Sequence, residues 1–326
     1  MRKQELHIAA FGAGRMGRGI GICFALAGWQ ISLIDSRLRE DWATYKVGIE
    51  KEIAQTLALL VDLDLLPAGS EAVIKDRISL LPHNDGLASL SKCELIFEAV
   101  PETEAAKKEA LRKLDHVLSE AAIVASTTST FIADLVASWS TRPEYVLNAH
   151  FLNPAFLVPL IEVSPHQGTR PEVIETVKQA LEDIGKVPVL CKASPGYIVP
   201  RIQALAMNEA ARLVEEGVAS AEDVDKAVRY GFGLRFAALG LLEFIDWGGL
   251  DILYYASGYL EKEMQNGRFA TPDIIVDKMG KGALGMGAGV GMYDWRTRDQ
   301  EAFKREKLRK FVELLNMNGA LKPPVL

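Results

Sequence analysis

HIAAFGAGRMGRGI, residues 7–20, is a short apolar run that ends in a glycine-spaced turn. Gly12-x-Gly14-x-x-Gly17 directly follows an expected strand and opens a helix that continues to Ala27. The first glycine permits the tight turn, the second lets the backbone approach a pyrophosphate, and the third lets helix and strand pack closely. The helix start adds unpaired N–H groups and the positive end of a dipole. Arg15 and Met16, between the second and third glycines, are expected against the same ligand. The next strand-length run ends in Asp35, 18 residues past Gly17. A carboxylate there accepts hydrogen bonds from both ribose hydroxyls and repels a 2′-phosphate, which favours NAD over NADP. Arg37 points the other way: it either pairs with such a phosphate or is a solvated loop charge.

Outward from this stretch, runs of strand length recur at 7–11, 30–35, 78–81, 94–98, 122–126, 145–151, 158–163 and 187–191. Helix-length segments such as 41–61, 104–120 and 171–184 separate them. Strands alternating with helices predict a Rossmann-type α/β domain with a mostly parallel sheet covered on both faces. After Cys191 the strand signal stops. ASPGY, residues 193–197, is a Pro-Gly turn, and helices follow at 198–216, 221–230, 234–244, 250–265 and 300–315. Residues 1–192 are therefore expected to form a nucleotide-binding domain and 193–326 an all-α substrate and dimerisation domain. Eight of the 25 aromatic residues lie between Tyr230 and Tyr259. That load either fills the helical core or packs against a second subunit, and a homodimer is expected because small helical domains have little interior.

The chain has 326 residues, with 37 Lys and Arg against 43 Asp and Glu, a net charge of −6 that argues against a nucleic-acid or anionic-membrane partner. No apolar run approaches the ~20 residues of a membrane span, and the basic first residues run straight into glycines rather than into a signal-peptide core. Cys23, Cys93 and Cys191 are odd in number, far apart and without metal-ligand spacing, which fits reduced thiols in the cytoplasm and no bound metal.

NAHFLNP places His150 at the end of one strand, and PLIEV places Glu162 on the next. Removing a hydride from a carbinol carbon needs a base for the hydroxyl proton, and histidine is the residue type that titrates near neutral pH. A carboxylate on its other ring nitrogen fixes the tautomer and steadies the imidazolium. A His and a Glu twelve residues apart are also compatible with a purely structural contact. Asn153 in the following turn, and Ser129 at the end of an earlier strand, put polar groups at the edge where doubly wound sheets bind ligands. No Gly-x-Ser-x-Gly elbow supports a hydrolase.

FGAGRMGRGI, FEAVPETEAAKK, ASTTST, NAHFLNP, LIEV, SPGYIVPR, EEGVASAEDVDKA and GVGMYDW, in this order, resemble the 3-hydroxyacyl-CoA dehydrogenase family over nearly the full length. The resemblance implies a dimeric, NAD-dependent oxidoreductase of fatty acid metabolism. It would interconvert an (S)-3-hydroxyacyl-CoA, short-chain and like 3-hydroxybutyryl-CoA, with its 3-keto form. By that resemblance His150 is the catalytic histidine and Glu162 its partner. Ser129 and Asn153 would meet the substrate oxygens and the histidine, and Glu102 and Lys107 would lie near the nicotinamide. Three departures from the family stand out. Pro200 replaces an Asn that contacts substrate. Glu52 and Leu59 stand where Ser and Lys often meet CoA. Gly233-Leu-Arg235-Phe resembles relatives that oxidise free hydroxy-acids, such as carnitine and gulonate dehydrogenases. Arg235 would then bind a substrate carboxylate, or it pairs with Glu243. A free hydroxy-carboxylate is thus the alternative substrate, and a catalytically silent relative, like the lens crystallins of this family, is a third reading that the His150–Glu162 pair opposes.

Overall fold

The computed structural model describes residues 6–321, which fold as two compact units, one up to Leu205 and one from Ala206. All eight strand runs become strands of the first unit. They are β1 Ile8–Phe11, β2 Ile31–Ile34, β3 Ile78–Leu81, β4 Leu95–Glu98, β5 Ile123–Ser126, β6 Val146–Phe151, β7 Leu160–Pro165 and β8 Val187–Leu190. They form one sheet in the order β3-β2-β1-β4-β5-β6-β7-β8. Every pairing is parallel except β6 with β7. The order reverses between β1 and β4, which opens a crevice at the carboxyl ends of the strands, the usual ligand position in such sheets.

Seven helices connect them: α1 Arg15–Leu26, α2 Trp42–Asp62, α3 Glu71–Lys75, α4 His83–Ser89, α5 Glu104–Val117, α6 Ala133–Ala137 and α7 Pro171–Asp183. The three short ones, α3, α4 and α6, span 5, 7 and 5 residues and leave too little periodicity to read from sequence. Strand pleating sends successive side chains to opposite faces. In β1, Ile8 and Ala10 join a core with Ile20 and Phe24 of α1, Ile53 of α2 and Val177 of α7. Ala9 and Phe11 join the opposite core with Leu111 and Leu114 of α5 and Val136 of α6. On this second face Glu98, Ser126, Asn148 and Ser164 form a polar row in register across β4 to β7, all completely buried.

The second unit is helical, as expected. It holds most of α8 (Val199–Glu215), then α9 Ala221–Ala227, a π-helical turn Val228–Gly233, α10 Leu234–Ala238, α11 Leu241–Gly248, α12 Leu250–Met264, α13 Asp273–Gly280 and α14 Gln300–Met317. The helix expected at 234–244 breaks at Leu239, which is extended, and restarts at Gly240, whose N–H donates to the Glu243 carboxylate at 2.9 Å. The first compact unit runs into α8, to Leu205, because the segment ahead of that helix and its first residues are tied to the sheet. Inside the helical unit Asp246 is 1% exposed and accepts the N–H groups of Met292 (2.7 Å) and Tyr293 (2.8 Å) and the indole N–H of Trp295 (2.7 Å). No helix among the described residues is long and apolar enough to cross a membrane.

Candidate active site

The crevice holds a cavity of about 430 Å³, within the size range of small-molecule sites. Gly12, Gly14, Arg15, Met16 and Asp35 line one part; Glu102, Ser129, His150 and Asn153 line the rest. Gly12 has φ +122° and its N–H donates to the Ile34 carbonyl at 2.8 Å; a Cβ there would come within 2.5 Å of the Ala99 carbonyl oxygen. A Cβ on Gly17 would overlap the Gly12 carbonyl, which is the close helix–strand approach expected of the third glycine. At Gly14, by contrast, nothing beyond its own chain neighbours lies within 4 Å of the place a Cβ would take. That open cradle, at the N-terminus of α1, fits a dinucleotide pyrophosphate.

Asp35 lies at the end of β2 and is 1% exposed. One oxygen accepts Arg39 Nε at 2.6 Å; the other accepts Arg39 Nη2 at 3.3 Å and the Arg37 N–H at 3.2 Å. The Arg39 guanidinium also stacks 3.9 Å over the Tyr45 ring. Arg39 is a residue that sequence reasoning missed. Among loop charges, only the fold shows which arginine turns back onto the acid. The Arg37 side chain lines the cavity and has no hydrogen-bond or ion-pair partner among the described residues.

Lys107 is not at the cavity wall. It is fully buried, with Nζ 3.0 and 3.1 Å from the Glu98 oxygens and 3.3 Å from Glu102. Glu98, which lies in FEAVPETEAAKK but was not singled out from sequence, also accepts the Ser126 hydroxyl at 2.5 Å and the Val100 N–H at 2.9 Å. Glu102 does reach the cavity. Its Oε1 accepts the Thr128 hydroxyl at 2.5 Å and the N–H groups of Ser129 (3.1 Å) and Thr130 (3.0 Å). Burial opposes its charge, but the Thr128 hydrogen bond and the Lys107 ammonium together outweigh it and hold the carboxyl below its ordinary value. Lys107 thus acts on the cavity through Glu102, a buried cation that keeps the loop carrying Ser129 in place.

His150 and Glu162 stand directly opposite each other in the antiparallel β6–β7 pairing, so their side chains share a face. His150 Nδ1 is 2.8 Å from Glu162 Oε2. Glu162 Oε1 accepts the N–H groups of Ile198 (2.8 Å) and Val199 (2.7 Å), at the start of α8. With both oxygens accepting, the neutral imidazole that fits this pairing carries its hydrogen on Nδ1 and has Nε2 as an acceptor. The Tyr197 ring lies face-on to the imidazole, 4.9 Å between centroids and 5° between planes. Its hydroxyl donates to the Thr128 carbonyl at 2.7 Å and accepts Asn148 Nδ2 at 3.0 Å. Tyr197 has φ +46°, an unusual conformation for a non-glycine residue, and burial pushes its phenol well up. Sequence reasoning passed over it as part of a turn. Pro200 occupies the first turn of α8, where the missing N–H is needed by no helical carbonyl.

A second cavity of about 590 Å³ adjoins the first across Arg15 and Asn153. Its wall includes Arg18, Glu52, Gln55, Thr56 and Leu59, and Arg18 forms an ion pair with Glu52. In the helical unit Arg235 does not pair with Glu243. Its guanidinium lies 5.0 Å over the Phe244 ring, while Glu243 pairs with Lys307 at 3.4 Å. The three cysteines are free thiols, and burial pushes Cys23 and Cys93 up to about 11.

Comparison with known proteins agrees with this geometry. Residues 7–194 match the family described as 3-hydroxyacyl-CoA dehydrogenase, NAD binding domain, and residues 196–295 match its C-terminal domain. The mitochondrial hydroxyacyl-coenzyme A dehydrogenase of Sus scrofa is 31% identical, over 89% of this chain and 91% of that one. A 5-formyl-3-hydroxy-2-methylpyridine 4-carboxylate 5-dehydrogenase of Mesorhizobium japonicum is 28% identical, over 94% of this chain and 96% of that one. Among solved structures, a 3-hydroxyacyl-CoA dehydrogenase from Archaeoglobus fulgidus superposes with TM-score 0.77 at 28% identity, covering 97% of this chain and 100% of that one.

Proposed function

The chain belongs to the 3-hydroxyacyl-CoA dehydrogenase family of NAD-dependent oxidoreductases, and on that premise we propose that it oxidises a short-chain (S)-3-hydroxyacyl-CoA to the 3-ketoacyl-CoA. The observation that carries the reading is the 2.8 Å His150–Glu162 pair in the wall of the same cavity that holds Gly14 and Asp35. Gly12, Gly14 and Asp35 would hold NAD, which would supply the acceptor for the hydride of the carbinol carbon. His150 Nε2 takes the hydroxyl proton, and Glu162 steadies the imidazolium that results. Asn153 and Ser129 orient the substrate oxygens. Glu102, held by Lys107, shapes the wall beside them. The same residues run the reduction when the proton starts on His150.

A second reading has its own support. The adjoining cavity presents an Arg18–Glu52 ion pair and Leu59, and among the described residues of its wall Arg15 alone is a cation outside an ion pair, a poor match to the several phosphates of CoA. A free hydroxy-carboxylate, which brings no phosphates, suits that wall better. One panel separates the two: 3-hydroxybutyryl-CoA, free 3-hydroxybutyrate, carnitine and gulonate, each read by NADH absorbance with and without added CoA. Turnover of the thioester with inhibition by CoA is expected. Turnover of free acids alone, unaffected by CoA, would replace the first reading by the second. A homodimer and a reducing, cytoplasmic setting belong to the same proposal; exposed apolar side chains on α8 and α12 and three free thiols support them.

A further inference from the structure

The ribose end of the cavity does not present a bare carboxylate. Asp35 is one negative charge, and Arg37 and Arg39 are two positive ones on the same wall. A carboxylate offers about four acceptor positions, and three of those of Asp35 are taken, two by Arg39 and one by the Arg37 N–H. Two ribose hydroxyls must therefore share or displace the Arg39 fork to reach it. A 2′-phosphate approaching the same point meets a neutralised pair and a second guanidinium, not an isolated anion. Arg39 is set for either role. Its stem is partly exposed, with 30% of the side chain open to solvent, and Tyr45 supports the flat face of its guanidinium. Arg37 is a different case. Only its N–H contacts Asp35, so its side chain adds charge without blocking the acid.

We propose that Arg39 sets how sharply this cleft discriminates between NAD and 2′-phosphorylated dinucleotides. It occupies the carboxylate that would otherwise hold the ribose, and it offers its own fork to a phosphate. Arg39 thus tempers a preference for NAD that Asp35 alone would make steep. Its removal sharpens that preference.

The test is binding rather than turnover. NADH and NADPH are titrated separately by fluorescence against the full-length protein, its Arg39→Ala and Arg39→Lys variants, and Arg37→Ala. In Arg39→Ala the ratio of the NADPH Kd to the NADH Kd should rise by about 10- to 100-fold, the weight of one charge-assisted hydrogen-bond set. Weaker NADPH binding should account for most of the rise. Arg39→Lys, which keeps the charge and loses the fork, should fall between, and Arg37→Ala should move the ratio less than Arg39→Ala. A ratio that stays within twofold or falls in Arg39→Ala overturns the proposal, as does an equal or larger shift in Arg37→Ala. The proposal rests on dinucleotide binding in this cavity. Failure of that premise looks different: neither nucleotide would bind the unsubstituted protein.

Discussion

At the scale of single residues, the two oxygens of Glu162 have separate tasks, one toward His150 and one toward the N–H groups of Ile198 and Val199. Glu162→Gln places an amide donor against either the imidazole N–H or the backbone N–H pair, so one side always sets donor against donor. With His150 as the proposed base, His150→Ala should lower kcat by about 10²–10⁴ and Glu162→Gln nearly as much, measured by NADH absorbance on the best substrate. Near-normal turnover in His150→Ala would remove the assignment. The pair was legible in sequence because a strand, a proline turn and a second strand bring positions 150 and 162 into register. Arg39, Glu98 and Tyr197 were not. Arg39 turns back along its own loop, Glu98 draws its partners from α5 and β5, and Tyr197 reaches the imidazole through a positive φ. Glu98 and Tyr197 lie within FEAVPETEAAKK and SPGYIVPR, but nothing in the spacing says what they touch, and Arg39 lies in none of the quoted motifs.

At the scale of elements, hydrophobic runs located every strand: the central strands β1, β4, β5 and β6 are buried on both faces, and the edge strands β3 and β8, though partly exposed, are still apolar runs. Short helices such as α6 and α13 escaped because they span little more than one or two turns. The loop between α13 and α14 shows what replaces periodicity there. Asp246 on α11 collects three donors from Met292, Tyr293 and Trp295, and Gly285, with φ +113°, lets the backbone come close enough. A Cβ there would lie 2.5 Å from the Asp246 carbonyl oxygen. Asp246→Ala leaves these donors buried without an acceptor and should destabilise the helical unit by about 3 kcal/mol or more. A drop in the first thermal transition checks this; an unchanged transition would make the cluster energetically neutral.

For the whole molecule, the aromatic excess noted in the sequence divides in two. Phe232, Phe236 and Phe244 pack on one another, with centroid distances of 4.6 and 5.5 Å. Tyr230, Tyr255 and Tyr259 stay exposed at 58%, 67% and 65%. Ile252, Leu205 and Met207 are exposed as well, at 63%, 61% and 68%, and exposed apolar side chains in such number support association with a second copy. Sedimentation at micromolar concentration should give a dimer, and a monomer would remove the argument. The division of the chain inside α8 also limits how such a protein can be recombined. A graft that joins this sheet to another helical half at residue 193 would leave Glu162 without its two backbone donors and His150 without its aromatic cover, unless the incoming half supplies both. A graft that keeps both contacts carries the first compact unit whole, to Leu205.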